Sequence, residues 1–179
     1  MTPEQLAEAR ELTLEDVIAD GLRVLFCGIN PGLMSALTGH HFARPGNRFW
    51  PALHASGFTP RRIAPAEQQQ VLALGFGITN VAERATARAD ELSAAELVAG
   101  GRTLTAKVER YRPGWLAVLG VTAYRTAFGE RLAQVGPQER TIGGTRIWVL
   151  PSPSGLNAHW TPAALAEEFA RLREAAFAA

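Results

Sequence analysis

The sequence predicts an α/β fold, a three-layer α/β/α sandwich around a mostly parallel central sheet of about four to five strands. Short apolar runs alternate along the chain with longer amphipathic segments, which is the pattern of strands joined by crossover helices. Gly- and Pro-rich turns separate these runs, and no internal repeat or linker interrupts them. With 179 residues, of which 47% are hydrophobic, residues 1–179 are expected to form a single domain that buries roughly 70% of its unfolded surface.

The first half of the chain is divided by residues that begin or end helices. Thr13 and Asn47 are expected to begin helices, and Gly75 is expected to end one. The predicted elements, in order, are a short helix over 14–18, a strand over 23–29, a helix after Asn47 with Phe49, Trp50 and Leu53 on one face, a helix over 65–74, and a short strand over 77–81.

The second half begins with a capping box, in which Ser93 and Glu96 satisfy each other's backbone N–H groups. The amphipathic helix that follows contains the pair Gly100-Gly101, which predicts either a kink or a point of close packing. Its only lysine, Lys107, is expected on the solvated face. The predicted elements are this helix through Tyr111, a strand over 115–119, a helix over 123–128, a strand within 142–150, and a terminal helix opened by Thr161-Pro162.

The acidic residues avoid two long segments of the chain. Residues 21–66 and 140–166 contain no Asp or Glu, and both segments are rich in Gly and Pro. A net charge of +1 creates no global attraction for nucleic acid. A surface free of carboxylates would nevertheless suit a phosphate backbone, although a chance distribution of surface charge is the alternative.

Cysteine usage and hydropathy restrict the cofactors and the compartment. Cys27 is the only cysteine and lies in the first apolar run, so we expect an inert core residue and no cysteine-ligated metal or iron–sulfur cluster. The start of the chain resembles no secretory leader, and no apolar run is long enough to span a membrane. We therefore expect a cytoplasmic protein, a monomer, with no membrane partner.

Asn30 is the first candidate for chemistry. It lies in a Gly-Ile-Asn-Pro-Gly turn directly after the first strand, and ligands of open α/β sheets bind at the carboxyl ends of strands. A side-chain amide both donates and accepts hydrogen bonds, so it can hold a water for attack without being a base. The alternative is that the Asn-Pro-Gly sequence serves only to form the turn.

Other reaction types find little support in the sequence. His40 and His41 are adjacent and point to opposite sides of an extended segment, so they favour a loop lining a pocket over a metal site. Ser154 lacks the leading Gly of a nucleophile elbow. No phosphate-binding glycine loop follows a strand, which argues against a nucleotide cofactor. Asp90 is a reserve candidate for a water-activating base, although a carboxylate before a helix also has a purely electrostatic explanation.

The turn around Asn30 belongs to a longer pattern that resembles the first motif of the mismatch-specific uracil/thymine-DNA glycosylases, which are part of the uracil-DNA glycosylase superfamily. A second motif of that family is similar to the segment after the last predicted strand. The matching segments are Gly-Ile-Asn-Pro-Gly-Leu at 28–33, Thr-Gly-His-His-Phe at 38–42, Pro-Gly-Asn-Arg-Phe-Trp at 45–50, Gly-Ile-Thr-Asn at 77–80, residues 143–150, and Pro-Ser-Pro-Ser-Gly-Leu at 151–156. The likeness covers residues 22–175.

The resemblance implies a role for each matching residue. Asn30 would position the water that attacks the anomeric carbon of a flipped nucleotide, and Phe42 would stack on the extruded base. The backbone around Ile29 and Phe42 would bind the edge of the base. Met34 follows the pattern of the relatives that process thymine. Leu156 would be the wedge that enters the duplex, while Ser154 and Gly155 would hold backbone phosphate or the guanine left unpaired.

The implied function is that of a monofunctional glycosylase that excises uracil from G·U mismatches in double-stranded DNA without metal or cofactor. Thymine in G·T mismatches and modified pyrimidines are further candidate substrates. Two departures affect recognition of the opposite guanine: Ser152 replaces Asn, and Ala158 replaces Arg. Asn157 or His159 are the possible substitutes. The competing hypothesis is a non-catalytic nucleic-acid or nucleotide-binding domain with the same fold, which would not need an amide at Asn30.

Overall fold

The computed structural model describes residues 1–178, which contain a five-stranded sheet with helices on both faces. The strands are β1 (Val24–Gly28), β2 (Phe76–Asn80), β3 (Trp115–Leu119), β4 (Gly136–Ile142) and β5 (Thr145–Leu150). The α-helices are α1 (Pro3–Glu11), α2 (Leu33–Thr38), α3 (Phe49–Ala55), α4 (Ala94–Tyr111), α5 (Val121–Phe128) and α6 (Pro162–Phe177). Two 3₁₀ segments cover Pro65–Leu74 and Ala89–Glu91.

The sheet order is β2-β1-β3-β5-β4, with parallel pairing everywhere except between β4 and β5. Alternate residues of the central strands supply two separate cores. Phe26 of β1 packs with α3 and α6 on one face, while Leu25 and Cys27 pack with α4 and α5 on the other. This layering confirms the predicted three-layer fold with a mostly parallel sheet.

The short helix predicted over residues 14–18 is wrong. That segment is extended, and Val17 exchanges two backbone hydrogen bonds with Ile78 of β2, at 2.9 and 2.8 Å. The edge strand β2 offers unpaired backbone groups there, and pairing with them outweighs local helix propensity. The N-terminal helix is instead α1, which Thr2 and Gln5 begin with a capping box.

Lys107 is also not on a solvated face. Its ammonium group pairs with the Asp16 carboxylate and donates to the Thr79 hydroxyl at 3.0 Å. Thr79 in turn donates to Asp16 at 2.7 Å. These contacts hold the extended N-terminal segment against the end of β2 and the middle of α4.

The strand predicted within residues 142–150 is β5, and it forms the second arm of a hairpin whose first arm, β4, was not predicted. A turn at Gly143, whose φ is +58°, joins the two strands. The sequence of β4 is mostly polar because this edge strand exposes much of its length, which is why hydropathy alone gave no strand there. Helix α2 was likewise not predicted. The Gly100-Gly101 pair marks close packing, because a Cβ on Gly100 would lie 2.2 Å from the Val81 carbonyl oxygen.

Cys27 is fully buried, and desolvation raises the pKa of its thiol, so it is protonated and unreactive. Among residues 1–178, no helix is both long and apolar enough to cross a membrane. The same residues contain no cluster of three or more His, Cys, Asp or Glu side chains suited to a metal ion.

Candidate active site

A cavity of about 340 Å³ opens at the carboxyl ends of the central strands. Four connections line it: the turn after β1, the α2–α3 connection, the loop after β2, and residues 151–160 after β5, called here the β5 loop. Six of the predicted site residues line this cavity: Ile29, Asn30, Phe42, Asp90, Ser154 and Leu156. Its lining also includes Gly28, His41, Asn80, Thr86 and Ser152. The structure therefore gathers most of the predicted site at one place.

The side chain of Asn30 is held in one orientation. Its Nδ2 donates to the Arg84 carbonyl at 2.8 Å and to the Thr86 hydroxyl at 2.7 Å. The Thr86 hydroxyl donates its own proton to the Arg88 carbonyl at 2.7 Å, so towards Asn30 it can only accept. The amide nitrogen must therefore face this loop, and Oδ1 has no hydrogen-bond partner within the described chain. Oδ1 is the atom left to bind a water.

The loop that orients Asn30 is itself anchored to α4. The Arg84 guanidinium makes a bidentate pair with Glu96, at 2.8 and 3.0 Å, and also donates to the Glu91 carbonyl. These hydrogen bonds lower the pKa of Glu96 to about 2, so the pair stays ionised at neutral pH. Thr86 also donates its backbone N–H to the Pro31 carbonyl at 3.1 Å, which ties the loop directly to the turn at Asn30.

Neither Arg84 nor Thr86 was found from the sequence. In the sequence, only the carboxylates of this loop suggested a catalytic role, whereas the groups that contact Asn30 are a backbone carbonyl and a hydroxyl. No local pattern marks a hydroxyl 56 residues away in the chain as the partner of an amide.

Phe42 presents its ring beside Asn30 through an unusual backbone. Its φ is +52°, a left-handed conformation, and its ring stacks on Phe49 with centroids 4.2 Å apart. Gly28 makes this approach possible, because a Cβ there would lie 3.3 Å from Phe42 Cζ and 2.5 Å from Asn80 Oδ1. Asn80, at the end of β2, is a second amide in the cavity that the sequence interpretation did not assign to the site.

Of the remaining base-pocket candidates, Ile29 lines the cavity and Met34 does not. The Ile29 carbonyl already accepts from the Ala82 N–H at 2.9 Å, so its backbone is partly used within the protein. Met34, which the sequence analysis expected in the base pocket, lies outside this lining. Residues 33–38 form α2, whose turn buries Leu33 and Ser35 and leaves Met34 half-buried away from the cavity lining.

His41 forms a buried part of the cavity wall, as the sequence predicted for this loop. Its Nε2 lies 2.8 Å from the Glu15 carbonyl, so Nε2 carries a proton and donates it. Its backbone is fixed as well, since its N–H donates to Gln68 and its carbonyl accepts from Trp50. Burial lowers the pKa of His41, and the imidazole is neutral at neutral pH.

Asp90 reaches the rim of the cavity from the short Ala89–Glu91 segment. Its side chain is 68% exposed, and its carboxylate pairs with Arg88 at 3.1 Å. Unlike the Asn30 amide, it has no buried partner that fixes its orientation.

The β5 loop is built from short side chain–backbone hydrogen bonds. Ser154 Oγ accepts from the Leu156 N–H at 3.2 Å, and Asn157 Nδ2 donates to the Ser152 carbonyl at 3.1 Å. Leu156 is 68% exposed at the loop's tip, an unusual position for a leucine. Gly155 and Asn157 do not line the cavity. Gly155 faces Gly46 instead, and a Cβ on it would lie 2.6 Å from the Gly46 carbonyl oxygen.

Comparison with known proteins identifies the family of this chain and supports its fold. The sequence profile of the Uracil DNA glycosylase superfamily matches residues 15–175. The fold is similar to the solution NMR structure of a proposed uracil DNA glycosylase from Methanosarcina acetivorans, with a TM-score of 0.59 over 91% of this chain and 98% of that chain. The two sequences are 18% identical, so this second likeness concerns the fold alone.

Proposed function

The chain belongs to the Uracil DNA glycosylase superfamily, and on that premise we propose that it is a monofunctional, mismatch-specific glycosylase. It would flip uracil out of G·U mispairs in duplex DNA and hydrolyse the N-glycosidic bond. Thymine and modified pyrimidines opposite guanine are further candidate substrates. The single observation that carries this proposal is the fixed orientation of the Asn30 amide.

In the proposed reaction, Asn30 Oδ1 accepts a hydrogen bond from a water and aims its oxygen at the anomeric carbon. The water oxygen bonds to that carbon as the bond to uracil N1 breaks, and the bonding electrons leave with uracil as an anion. The water's proton passes to solvent or to the departing base. Holding the reactants in this geometry lowers the entropic part of the barrier.

The base would bind between Phe42 and the ends of β1 and β2. The Phe42 ring is backed by Phe49, so it offers a rigid surface for stacking. The Asn80 amide has both a donor and an acceptor for the polar edge of a pyrimidine, and it reaches the cavity beside Gly28. Amide donors aimed at the oxygens of the leaving base stabilise its developing negative charge.

The β5 loop would contact the duplex. Its exposed Leu156 suits insertion into the gap that the flipped nucleotide leaves, which offsets part of the few kcal/mol needed for unstacking. The two segments without acidic residues, 21–66 and 140–166, supply both the β1 and β5 sides of the cavity, so no carboxylate from them repels phosphate. Ser152 and Ala158 lack the side chains that the mismatch-specific family places opposite guanine, so the preference for U·G over U·A should be smaller than in that family.

A non-catalytic binding domain with the same fold is the alternative. It would need the cavity and the β5 loop but not an amide held by two acceptors with Oδ1 left unpaired. The experiment is single-turnover base release from duplexes with U·G, U·A or T·G and from single-stranded U, with abasic sites revealed as strand breaks in alkali. Wild type is compared with Asn30→Ala and Asp90→Asn.

We expect Asn30→Ala to lower release from U·G by about 10²–10³-fold, the effect of removing one preorganised polar group. Asp90→Asn, which removes a solvated carboxylate at the rim, should change it less than about 3-fold. Activity that survives Asn30→Ala and is lost in Asp90→Asn would reverse the two assignments. DNA binding without release from any substrate would favour the binding domain.

A further inference from the structure

Among residues 1–178, Arg48 is the one side chain outside the β5 loop that donates hydrogen bonds to several of the loop's carbonyl groups. Its Nη2 donates to the carbonyls of Ser154 and Asn157, at 2.9 and 3.0 Å, and its Nη1 donates to that of Trp160. Its backbone N–H also donates to the Pro153 carbonyl at 2.9 Å. Arg48 therefore contacts the β5 loop at four residues from its position at the start of α3.

These contacts lie on both sides of Leu156. The carbonyls of Ser154 and Asn157 flank the leucine in sequence, so one guanidinium group fixes the chain before and after it. The planar fork of arginine holds two Nη nitrogens apart in fixed directions, so it reaches carbonyls at separate positions, which the single nitrogen of lysine does not. The loop's other hydrogen bonds, such as that from Leu156 to Ser154, connect its own residues and set its shape rather than its position.

The charge of Arg48 is not used in an ion pair. No carboxylate among the described residues lies within salt-bridge distance of it, and its Nε is buried without a partner. The group is thus committed to backbone carbonyls, at the cost of one unsatisfied donor. Gly46, two residues before Arg48, packs against Gly155, which brings the α2–α3 connection and the β5 loop into direct contact.

We propose that Arg48 is a positioning residue for the β5 loop, which holds Leu156 in place so that it can enter duplex DNA while the target nucleotide is out of the stack. This inference rests on the proposed glycosylase function. A leucine that prevents the bases from restacking must lie on a loop that keeps its position. Arg48 touches neither the flipped base nor the attacking water, so its effect should depend on whether the substrate is a duplex.

The test compares Arg48→Met, which keeps the length of the side chain, with Arg48→Lys, Leu156→Ala and the Arg48→Met/Leu156→Ala double variant. Arg23→Met is the matched control, because Arg23 also donates to one distant backbone carbonyl, that of Ala176, but at the opposite end of β1. Each protein is assayed for single-turnover release from U·G duplex and from single-stranded U. Hydrogen exchange of the β5 loop amides is measured without DNA.

We expect Arg48→Met to lower release from the duplex by about 10-fold or more, and from single-stranded U by less than about 2-fold. In the double variant, the losses from the duplex should not multiply, because both residues act through the same loop. Arg48→Lys should resemble Arg48→Met, since the single nitrogen of an ammonium group cannot occupy the separate positions of Nη1 and Nη2. Loop amides should exchange faster in Arg48→Met and remain unchanged in Arg23→Met.

Full rescue by Arg48→Lys would overturn the proposal, because charge alone would then explain the effect. Equal losses on duplex and single strand would also overturn it, since they would indicate a general defect in folding or in the cavity. If wild type releases no base from any DNA, the proposed function fails. Loop exchange still decides whether Arg48 fixes the β5 loop, and unchanged exchange in Arg48→Met would overturn that as well.

Discussion

The turn after β1 and the β5 loop border the same cavity at the carboxyl ends of parallel strands, yet they hold their key side chains in opposite ways. The Asn30 amide is half-buried and donates to two groups of a neighbouring loop. Leu156 is mostly exposed and makes no polar contact through its side chain, and only its backbone is fixed, through Ser154 and Arg48.

In the proposed function, this difference corresponds to two different tasks of Asn30 and Leu156. A group that orients a water must be placed to within a fraction of an ångström, and hydrogen bonds from a packed loop provide that accuracy. A group that enters DNA must be exposed before the substrate arrives, so its packing contacts form only with the DNA duplex. The tolerance of each region to substitution should differ accordingly.

The largest effect is expected from disturbing the support of Asn30. Thr86→Val keeps the shape of the side chain but removes both the acceptor for Asn30 Nδ2 and the donor to the Arg88 carbonyl. With the amide free to rotate, single-turnover release of uracil should fall by about 10- to 100-fold on duplex and single-stranded DNA alike. Leaving buried polar groups unpaired should also cost about 1–3 kcal/mol of stability.

Thr38→Val is the matched control for this variant, because the Thr38 hydroxyl is exposed and bonds only to its own helix, at Met34. It should leave release unchanged. If Thr86→Val releases uracil at the wild-type rate, the orientation of Asn30 does not depend on Thr86, and the contrast between the two regions disappears.

A smaller and selective effect is expected at the tip of the β5 loop. Leu156→Ala should slow release from U·G duplex by roughly 10-fold and leave single-stranded U nearly unchanged, because a wedge matters only where bases must be unstacked. Leu132→Ala is the control, since Leu132 is 91% exposed on the α5–β4 connection, outside the cavity lining. Equal behaviour of the two leucine variants on duplex DNA would contradict the role of Leu156.

The smallest effect concerns stability. Because burial lowers the pKa of His41, the folded protein takes up a proton there less readily than the unfolded chain. Below about pH 6.5 the unfolded state therefore binds more protons, and stability should fall as the pH falls. The hydrogen bond to the Glu15 carbonyl and the nearby Asp16 carboxylate act in the opposite direction, but burial is the stronger influence on the pKa.

The measurement is the melting temperature of wild type and His41→Gln between pH 7.5 and pH 5. Other titrating groups are common to both proteins, so the difference in slope isolates His41. Wild type should lose stability more steeply on acidification than His41→Gln, whatever the absolute stability of the variant. Parallel curves would show that burial does not keep this imidazole neutral.

Several parts of the molecule followed from the sequence because the forces that form them are local or periodic. The apolar runs of β1, β2 and β3 and the capping box at Ser93 predicted elements that the structure contains. The turn at residues 28–32 was placed correctly at a strand end, and its position alone brought Asn30 to the cavity. Close packing at Gly100 was among the two outcomes predicted for the glycine pair.

What the sequence did not reveal depends on contacts between distant segments. Residues 14–18 are extended because the edge of β2 is open to them, and Lys107 is partly buried because Asp16 then lies beside it. Polar β4 forms a strand only because β5 is its neighbour. Each outcome was decided by a partner that the local pattern does not contain.

The same division runs through the candidate site. The sequence by itself determined the candidate side chains, Asn30, Phe42 and Leu156, because their residue types follow recognisable strand ends and motifs. Only the tertiary structure decided which way the Asn30 amide points and what holds the β5 loop, since Thr86 and Arg48 act across 56 residues and more than 100 residues of chain. Hydrogen bonds require atoms to meet in space, and the sequence determines that meeting only through the complete fold.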